Sequence, residues 1–193
     1  MPRVTRAELE SYRGTEVPDL VGPGVRLVFV GINPGLMTAA LQIHFGNPGN
    51  RFRPALVGAG LLEPPRDGRP GMTHEDLATL VSRGVGITNL VPFATARADE
   101  LTRAQLLAGR ARLEGFVAEH RPHVVAMLGI TAYRVAFDRP RATSGRQPEQ
   151  LGDAVLWVVP NPSGLNAHET VASLAAAYAE PARAAGVLGV GGR

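Results

Sequence analysis

Two loops of this sequence combine asparagine, proline and glycine. The first is Gly-Ile-Asn-Pro-Gly at residues 31–35, and the second is Asn-Pro-Ser-Gly-Leu-Asn at residues 161–166. No Asp, Glu, His or Lys occurs from residue 28 to residue 42. A site built on Asn33 would therefore work without a strong acid or base beside it. What an asparagine amide can do is donate to and accept from a bound water molecule.

That neutral surrounding favours a reaction with a good leaving group. Hydrolysis of O-linked sugars normally uses two carboxylates, because an alkoxide leaving group must be protonated. A nucleobase such as uracil leaves more easily, since its anion is delocalised over the ring. Backbone N–H groups can stabilise that anion, and Asn33 then needs only to place the water. The first loop thus favours N-glycosidic cleavage over phosphoryl or acyl transfer. Its other interpretation is a plain turn, which Asn-Pro and Pro-Gly often mark.

The composition excludes other chemistries. The 193 residues include no cysteine, which removes disulfides, thiolate zinc sites, cysteine nucleophiles and iron–sulfur clusters. All 20 basic residues are arginines, so lysine Schiff-base catalysis is also removed. The five histidines form no HxxxH pair, and we predict no metal and no cofactor. The net charge of +3 is compatible with a nucleic-acid partner.

The elements that must position these loops follow from hydrophobic patterning. Four short apolar runs occupy residues 25–31, 86–91, 123–129 and 154–160. Such runs are typical of strands buried on both faces of a parallel sheet. Helical patterns lie between them, with Thr73 and Thr102 as predicted caps. We therefore predict an α/β fold, a single three-layer α/β/α domain around a mainly parallel four-stranded sheet. The polar loops fall at the carboxyl ends of its strands, where such sheets bind ligands.

We expect the domain to span residues 25–185, with an N-terminal extension over residues 1–24 and a tail over residues 186–193. Residues 138–150 are predicted to form a polar surface loop, and Pro181 to kink or end the last helix. No segment has the pattern of a signal peptide, and polar residues interrupt the longest uncharged stretch. We expect a cytoplasmic monomer without a membrane span.

Four motifs resemble those of the uracil-DNA glycosylase superfamily, and most closely its mismatch-specific uracil/thymine DNA glycosylase branch. They are GINPGLMTAA from residue 31, NPGNRF from residue 47, GITNLV from residue 86 and NPSGLN from residue 161. They occur in the family's order and spacing. The resemblance implies a monofunctional glycosylase that flips uracil out of G·U mismatches in double-stranded DNA and begins base excision repair. Thymine and other damaged bases are further candidate substrates.

The resemblance also implies roles for single residues. Asn33 would be the catalytic residue that positions water. The pocket for the flipped base would be formed by Ile32, Gly35, Thr38, Phe45 and Asn89, with the Phe45 ring stacked on the base. The loop that enters the duplex would consist of Ser163, Gly164, Leu165 and Asn166. Leu165 would fill the gap left by the extruded nucleotide, since an apolar wedge partly offsets lost stacking.

Some positions depart from the family pattern. Asn33 and Asn161 stand where many uracil enzymes have Asp and His, which indicates the mismatch branch. Ala167 stands where some members have a basic residue, and Asn89 where some bacterial relatives have lysine. Arg53 stands where an aromatic residue often occurs. It and Arg51 are candidate phosphate contacts.

Two other functions remain open from the sequence. The chain could be a non-catalytic domain that binds damaged DNA or a nucleotide, or an enzyme that acts on free nucleosides. Single residues also have structural interpretations: Phe45 as a core aromatic, Leu165 as a hydrophobic staple and Asn166 as the cap of the last helix.

Overall fold

A computed structural model describes residues 5–65, 68, 71–164 and 166–188 of the chain. Its strands are β1 (Leu27–Gly31), β2 (Val85–Asn89), β3 (Val124–Leu128), β4 (Gly145–Leu151) and β5 (Ala154–Val159). Its α-helices are α1 (Arg6–Glu10), α2 (Leu36–Leu41), α3 (Phe52–Gly58), α4 (His74–Ser82), α5 (Arg103–His120), α6 (Ile130–Ala136) and α7 (Val171–Ala184). The strands form one sheet in the order β2-β1-β3-β5-β4.

Both faces of the sheet are covered by helices. Side chains of β1 alternate between the faces: Leu27 and Phe29 pack in a core with α3, α4 and α7, and Val28 and Val30 pack in a core with α5 and α6. Every residue of β1, β2 and β3 is buried, as expected for strands covered on both sides. The predicted three-layer α/β fold is confirmed.

The sheet has five strands rather than the four predicted. β4 covers the second half of the predicted surface loop and extends one residue beyond it, and it pairs antiparallel with β5 at the edge of the sheet. The other four strands run parallel. Buried positions are few along β4, and its sequence Gly-Arg-Gln-Pro-Glu-Gln-Leu has no apolar run. An edge strand with a solvated face needs no such run, so a search for continuous apolar runs does not detect β4.

Two of the described helices begin at the capping residues that the sequence predicts. Thr73 and Thr102 accept backbone N–H groups three residues on and cap α4 and α5. The last helix differs, because Thr170 caps α7 and Asn166 does not. This helix also does not end at Pro181 but continues to Ala184. Burial of one face of α7 against the sheet outweighs the missing backbone hydrogen bond at proline.

The residues before β1 pack against the sheet. Leu20 exchanges two backbone hydrogen bonds of 2.8 Å with Ile87 of β2. The Asp19 carboxylate accepts from the Thr88 hydroxyl at 2.5 Å and from Arg112 at 2.6 Å. This segment therefore reinforces the end of β2 that leads into the polar loops. Among the helices of the described ranges, none is long and apolar enough to cross a membrane.

Candidate active site

A cavity of about 480 Å³ opens at the carboxyl ends of the parallel strands. The chain passes from β1 to β2 on one side and then crosses to β3 on the other side of β1. Such a switch in strand order leaves a crevice between the loops that follow the strands. The cavity is lined by the ends of β1, β2 and β3, by residues 161–163 after β5, and by α1 and α2.

The structure brings together most of the side chains that the sequence singled out. Seven of them line the cavity: Ile32, Asn33, Gly35, Thr38, Phe45, Asn89 and Ser163. Gly164 and Asn166 lie in the same loop as Ser163 but do not line the cavity. Leu165 lies outside the described residues. The roles of all of these residues stay predictions.

The amide of Asn33 is held from one side. Its Nδ2 donates to the Thr95 hydroxyl at 2.7 Å and to the carbonyl oxygens of Pro34 and Phe93 at 3.1 and 3.3 Å. Thr95 donates its own proton to the Arg97 carbonyl at 2.7 Å, so it must accept from Asn33. Because carbonyl oxygens only accept, these contacts determine which end of the amide carries hydrogens. The Oδ1 atom makes no hydrogen bond with the described residues and can accept one from water.

Sequence reasoning missed Thr95. This residue lies after β2 in a segment without a recognisable motif, 62 positions from Asn33. It is buried and lines the cavity beside Asn33. A backbone bridge between Gly35 and Thr95 joins the two loops that carry these side chains. No local pattern could have indicated this contact.

Phe45 adopts an unusual backbone conformation at the cavity wall. Its φ is +54°, a left-handed conformation that is uncommon outside glycine. Its ring is half-buried and stacks on Phe52 of α3, with ring centroids 4.0 Å apart and planes 30° apart. The left-handed turn thus supports an aromatic face that lines the cavity.

Asn89 brings an unpaired amide to the cavity. The residue is 4% exposed, yet its side chain makes no hydrogen bond with the described part of the chain. The amide borders the cavity, so water or a bound polar ligand there can supply its hydrogen bonds. The backbone of Asn89 is fixed, because Arg112 donates to its carbonyl at 2.8 Å.

Gly31 provides the space beside this amide. A Cβ atom built on Gly31 would lie 2.4 Å from Asn89 Oδ1 and 3.4 Å from Phe45 Cζ. The close approach in the first loop is therefore at Gly31. At Gly35 the same added atom would meet no described atom within 4 Å, and its φ is an ordinary −79°.

His44 also lines the cavity, although no sequence pattern assigns it a role. Its Nε2 lies 2.9 Å from the Pro18 carbonyl, so this nitrogen carries the proton and donates. Burial lowers the pKa of His44 below its usual 6.5, against the opposing effects of this hydrogen bond and of the Asp19 charge. The ring is therefore neutral at physiological pH.

Two arginines considered as phosphate contacts have other partners. Arg53 is buried and forms a two-pronged ion pair with Asp76, with N–O distances of 2.7 and 3.0 Å. Arg51 donates to backbone carbonyls after β5, described below. The phosphate prediction is therefore wrong for Arg53, and the guanidinium of Arg51 is engaged by protein. The reason is tertiary, because both arginines flank Phe52 at the start of a buried helix.

Charged side chains occur at the rim of the cavity. Arg6 and Arg97 are exposed cations there, and Glu10 pairs with Arg13 at 2.9 Å. Asn161, at the base of the second loop, uses its Oδ1 to accept from the Ser163 N–H at 2.8 Å. No group of three His, Asp or Glu side chains able to hold a metal occurs in the ranges that the structure describes.

These features define an α/β protein whose cleft is lined by the aromatic face of Phe45, by the Asn89 amide and by the Asn33 amide, whose Nδ2 is held by the protein. The family model of the Uracil DNA glycosylase superfamily matches residues 18–181. Because the match covers most of the chain, the protein belongs to that superfamily. Membership supports a DNA glycosylase, a hydrolase that acts on uracil in DNA during base excision repair.

Proposed function

We propose that this protein is a monofunctional glycosylase of the mismatch-specific type. It flips uracil out of G·U mismatches in double-stranded DNA and hydrolyses the bond between base and sugar. We propose further that it acts as a monomer in the cytoplasm, with thymine and other damaged bases as additional candidate substrates. The observation that carries the proposal is the one-sided anchoring of the Asn33 amide, which leaves Oδ1 as an acceptor at the cavity.

In the proposed reaction the bond between the sugar C1′ and the base N1 breaks, and its electron pair stays with uracil. The sugar then has oxocarbenium character, which makes C1′ electrophilic enough for a neutral water molecule. Asn33 Oδ1 accepts a hydrogen bond from this water and orients its oxygen towards C1′. The water oxygen bonds to C1′, and its proton is released to solvent. An amide suffices because no proton has to be removed before attack.

The base would be held by two side chains of the cavity. The half-buried Phe45 ring, supported by Phe52, offers a stacking surface. The Asn89 amide, which has both a donor and an acceptor, is suited to the alternating donors and acceptors on the edge of uracil. An extruded base that satisfies this amide recovers part of the cost of its extrusion, which is a few kcal/mol.

A preference for mismatches follows partly from that cost. A mispaired uracil resists extrusion less than a paired base, so selectivity needs few contacts to the opposite strand. We propose that residues 163–166 enter the duplex, with Leu165 as the wedge. Because the sequence contains no lysine, the product is an abasic site with an uncut backbone.

The test is single-turnover cleavage of a labelled duplex with one G·U pair, analysed with and without alkali. We expect alkali-dependent breaks for the wild type and a loss of about 100-fold or more for Asn33→Ala, because placing the nucleophile commonly contributes that much. The variant should still bind the duplex. Gln150→Ala, an exposed amide of β4, serves as the matched control and should retain full activity.

Three outcomes would contradict the proposal. Alkali-independent breaks would exclude a monofunctional enzyme. Base release from free deoxyuridine but not from duplex would favour a nucleoside hydrolase. Binding of the duplex without base release from G·U, A·U or single-stranded uracil would favour a non-catalytic domain.

A further inference from the structure

One arginine side chain organises the described part of the loop after β5, here called the post-β5 loop (residues 161–164 and 166–170). Arg51 donates through Nη2 to the carbonyl oxygens of Ser163 at 2.6 Å and Asn166 at 2.7 Å. Its Nη1 donates to the Glu169 carbonyl. Its backbone N–H donates to the Pro162 carbonyl at 3.0 Å. Carbonyl groups from both halves of the loop thus converge on one guanidinium from a distant part of the chain.

Other hydrogen bonds of the post-β5 loop join neighbouring residues: the Ser163 N–H donates to Asn161 Oδ1 at 2.8 Å, and Ser173 of α7 donates to the Glu169 carboxylate at 2.6 Å. Asn166 bonds back to Ser163 and Asn161 at 3.0 and 3.2 Å, which closes a local turn. Pro162 at its start is buried, but among the described residues from 163 to 170 no hydrophobic side chain is buried. Hydrogen bonds from the guanidinium therefore stabilise this part of the loop, as apolar packing stabilises other segments. Without it, the carbonyl groups would turn to water and the loop would sample other conformations.

The same arginine connects this loop with the wall of the cavity. Arg51 immediately precedes α3, whose first residue, Phe52, stacks on Phe45. The two backbones are also in contact, because a Cβ atom built on Gly164 would lie 2.7 Å from the Gly49 carbonyl oxygen. The aromatic wall of the cavity and the post-β5 loop are therefore joined through residues 49–52.

We propose that Arg51 is a positioning residue for base extrusion, which holds the post-β5 loop in its duplex-entering shape before DNA binds. This inference rests on the proposed function. Ordering one residue's backbone on binding weakens the bound state by a factor of about ten. A loop already ordered by Arg51 avoids that factor during the step in which the base leaves the duplex.

The geometry requires arginine rather than lysine. A guanidinium presents several N–H donors in one plane, so Nη1 and Nη2 reach carbonyl groups from different parts of the loop. The ammonium of lysine is a compact group on a flexible stem and cannot span them. Arg51→Lys thus keeps the charge while it removes the organising contacts.

The test compares single-turnover excision from two duplexes, one with uracil opposite guanine and one with uracil opposite an abasic site. We expect Arg51→Lys to slow excision of paired uracil about tenfold or more and of unpaired uracil by less than about threefold. Arg134→Lys is the matched control, because Arg134 also donates to a loop carbonyl, that of Ala142, at 2.7 and 3.0 Å. It should change neither rate.

Equal losses of activity on both duplexes, or no loss on the paired one, would overturn the proposal. A second measurement is independent of activity: amide hydrogen exchange of the free protein should rise in residues 163–169 of Arg51→Lys and nowhere else. Unchanged exchange there would also overturn it. Inactivity of the wild type on both duplexes would refute the proposed function instead, and hydrogen exchange would then decide the role of Arg51 alone.

Discussion

Replacement of Gly31 by alanine tests whether the Asn89 amide contacts the base. The new Cβ atom would lie 2.4 Å from Asn89 Oδ1, whereas ordinary contact begins at 3.4 Å. The amide must therefore retreat by about the 1.0 Å between those values. A displacement of about 1 Å in a positioning contact can reduce a rate about 100-fold. We expect a loss of that size in single-turnover excision of uracil, with the fold intact.

A double-mutant cycle separates this mechanism from simple blockage of the cavity. If the methyl group acts through the amide, Gly31→Ala should cost less than about threefold in an Asn89→Ala background. An undiminished loss in that background would refute the reasoning. Gly115→Ala is the matched control: Gly115 lies exposed in α5 with open space around its Cα. It should leave excision unchanged and stabilise the protein by about 0.5–1 kcal/mol.

Three further variants test the surroundings of the cavity. Thr95→Val removes the 2.7 Å acceptor of the Asn33 amide, and we expect single-turnover excision to fall about tenfold with unchanged duplex affinity. Asp76→Asn removes the buried 2.7 Å ion pair with Arg53, and urea unfolding should show a loss of about 3 kcal/mol. Burial lowers the pKa of His44, so its contribution to stability is full above about pH 6.5 and is lost as pH falls through the lowered folded-state value. When the pH is lowered from about 7.5 to about 5.5, the urea concentration at the unfolding midpoint should therefore fall more for the wild type than for His44→Gln.

For each of these three predictions, one outcome would contradict the reasoning. Thr95→Ser keeps the hydroxyl and should restore excision, so a serine variant as slow as valine would exclude the hydrogen bond as the cause. If Asp76→Asn lost less than about 1 kcal/mol of unfolding free energy, the pair would contribute no more than an exposed surface ion pair does. If the stability of the wild type and of His44→Gln depended equally on pH, protonation of His44 would not be the cause of the loss of stability at low pH.

Most strands and two helix starts were predictable because their signals are local. A strand buried on both faces must be apolar throughout, and this predicted β1, β2, β3 and β5. Thr73 and Thr102 precede residues that complete a capping pair, and both cap helices as predicted. β4 was missed because an edge strand with a solvated face needs no apolar run.

The sequence by itself determined the α/β class and the cluster of polar loops at one edge of the sheet, and its ordered motifs led to the superfamily that the family model supports. Only the tertiary structure decided which side chains work together. It placed Thr95 against Asn33 across 62 positions, turned Arg51 into the post-β5 loop and paired Arg53 with Asp76. Periodicity and capping act over a few neighbouring residues, whereas these contacts depend on how distant segments pack, which no local pattern encodes.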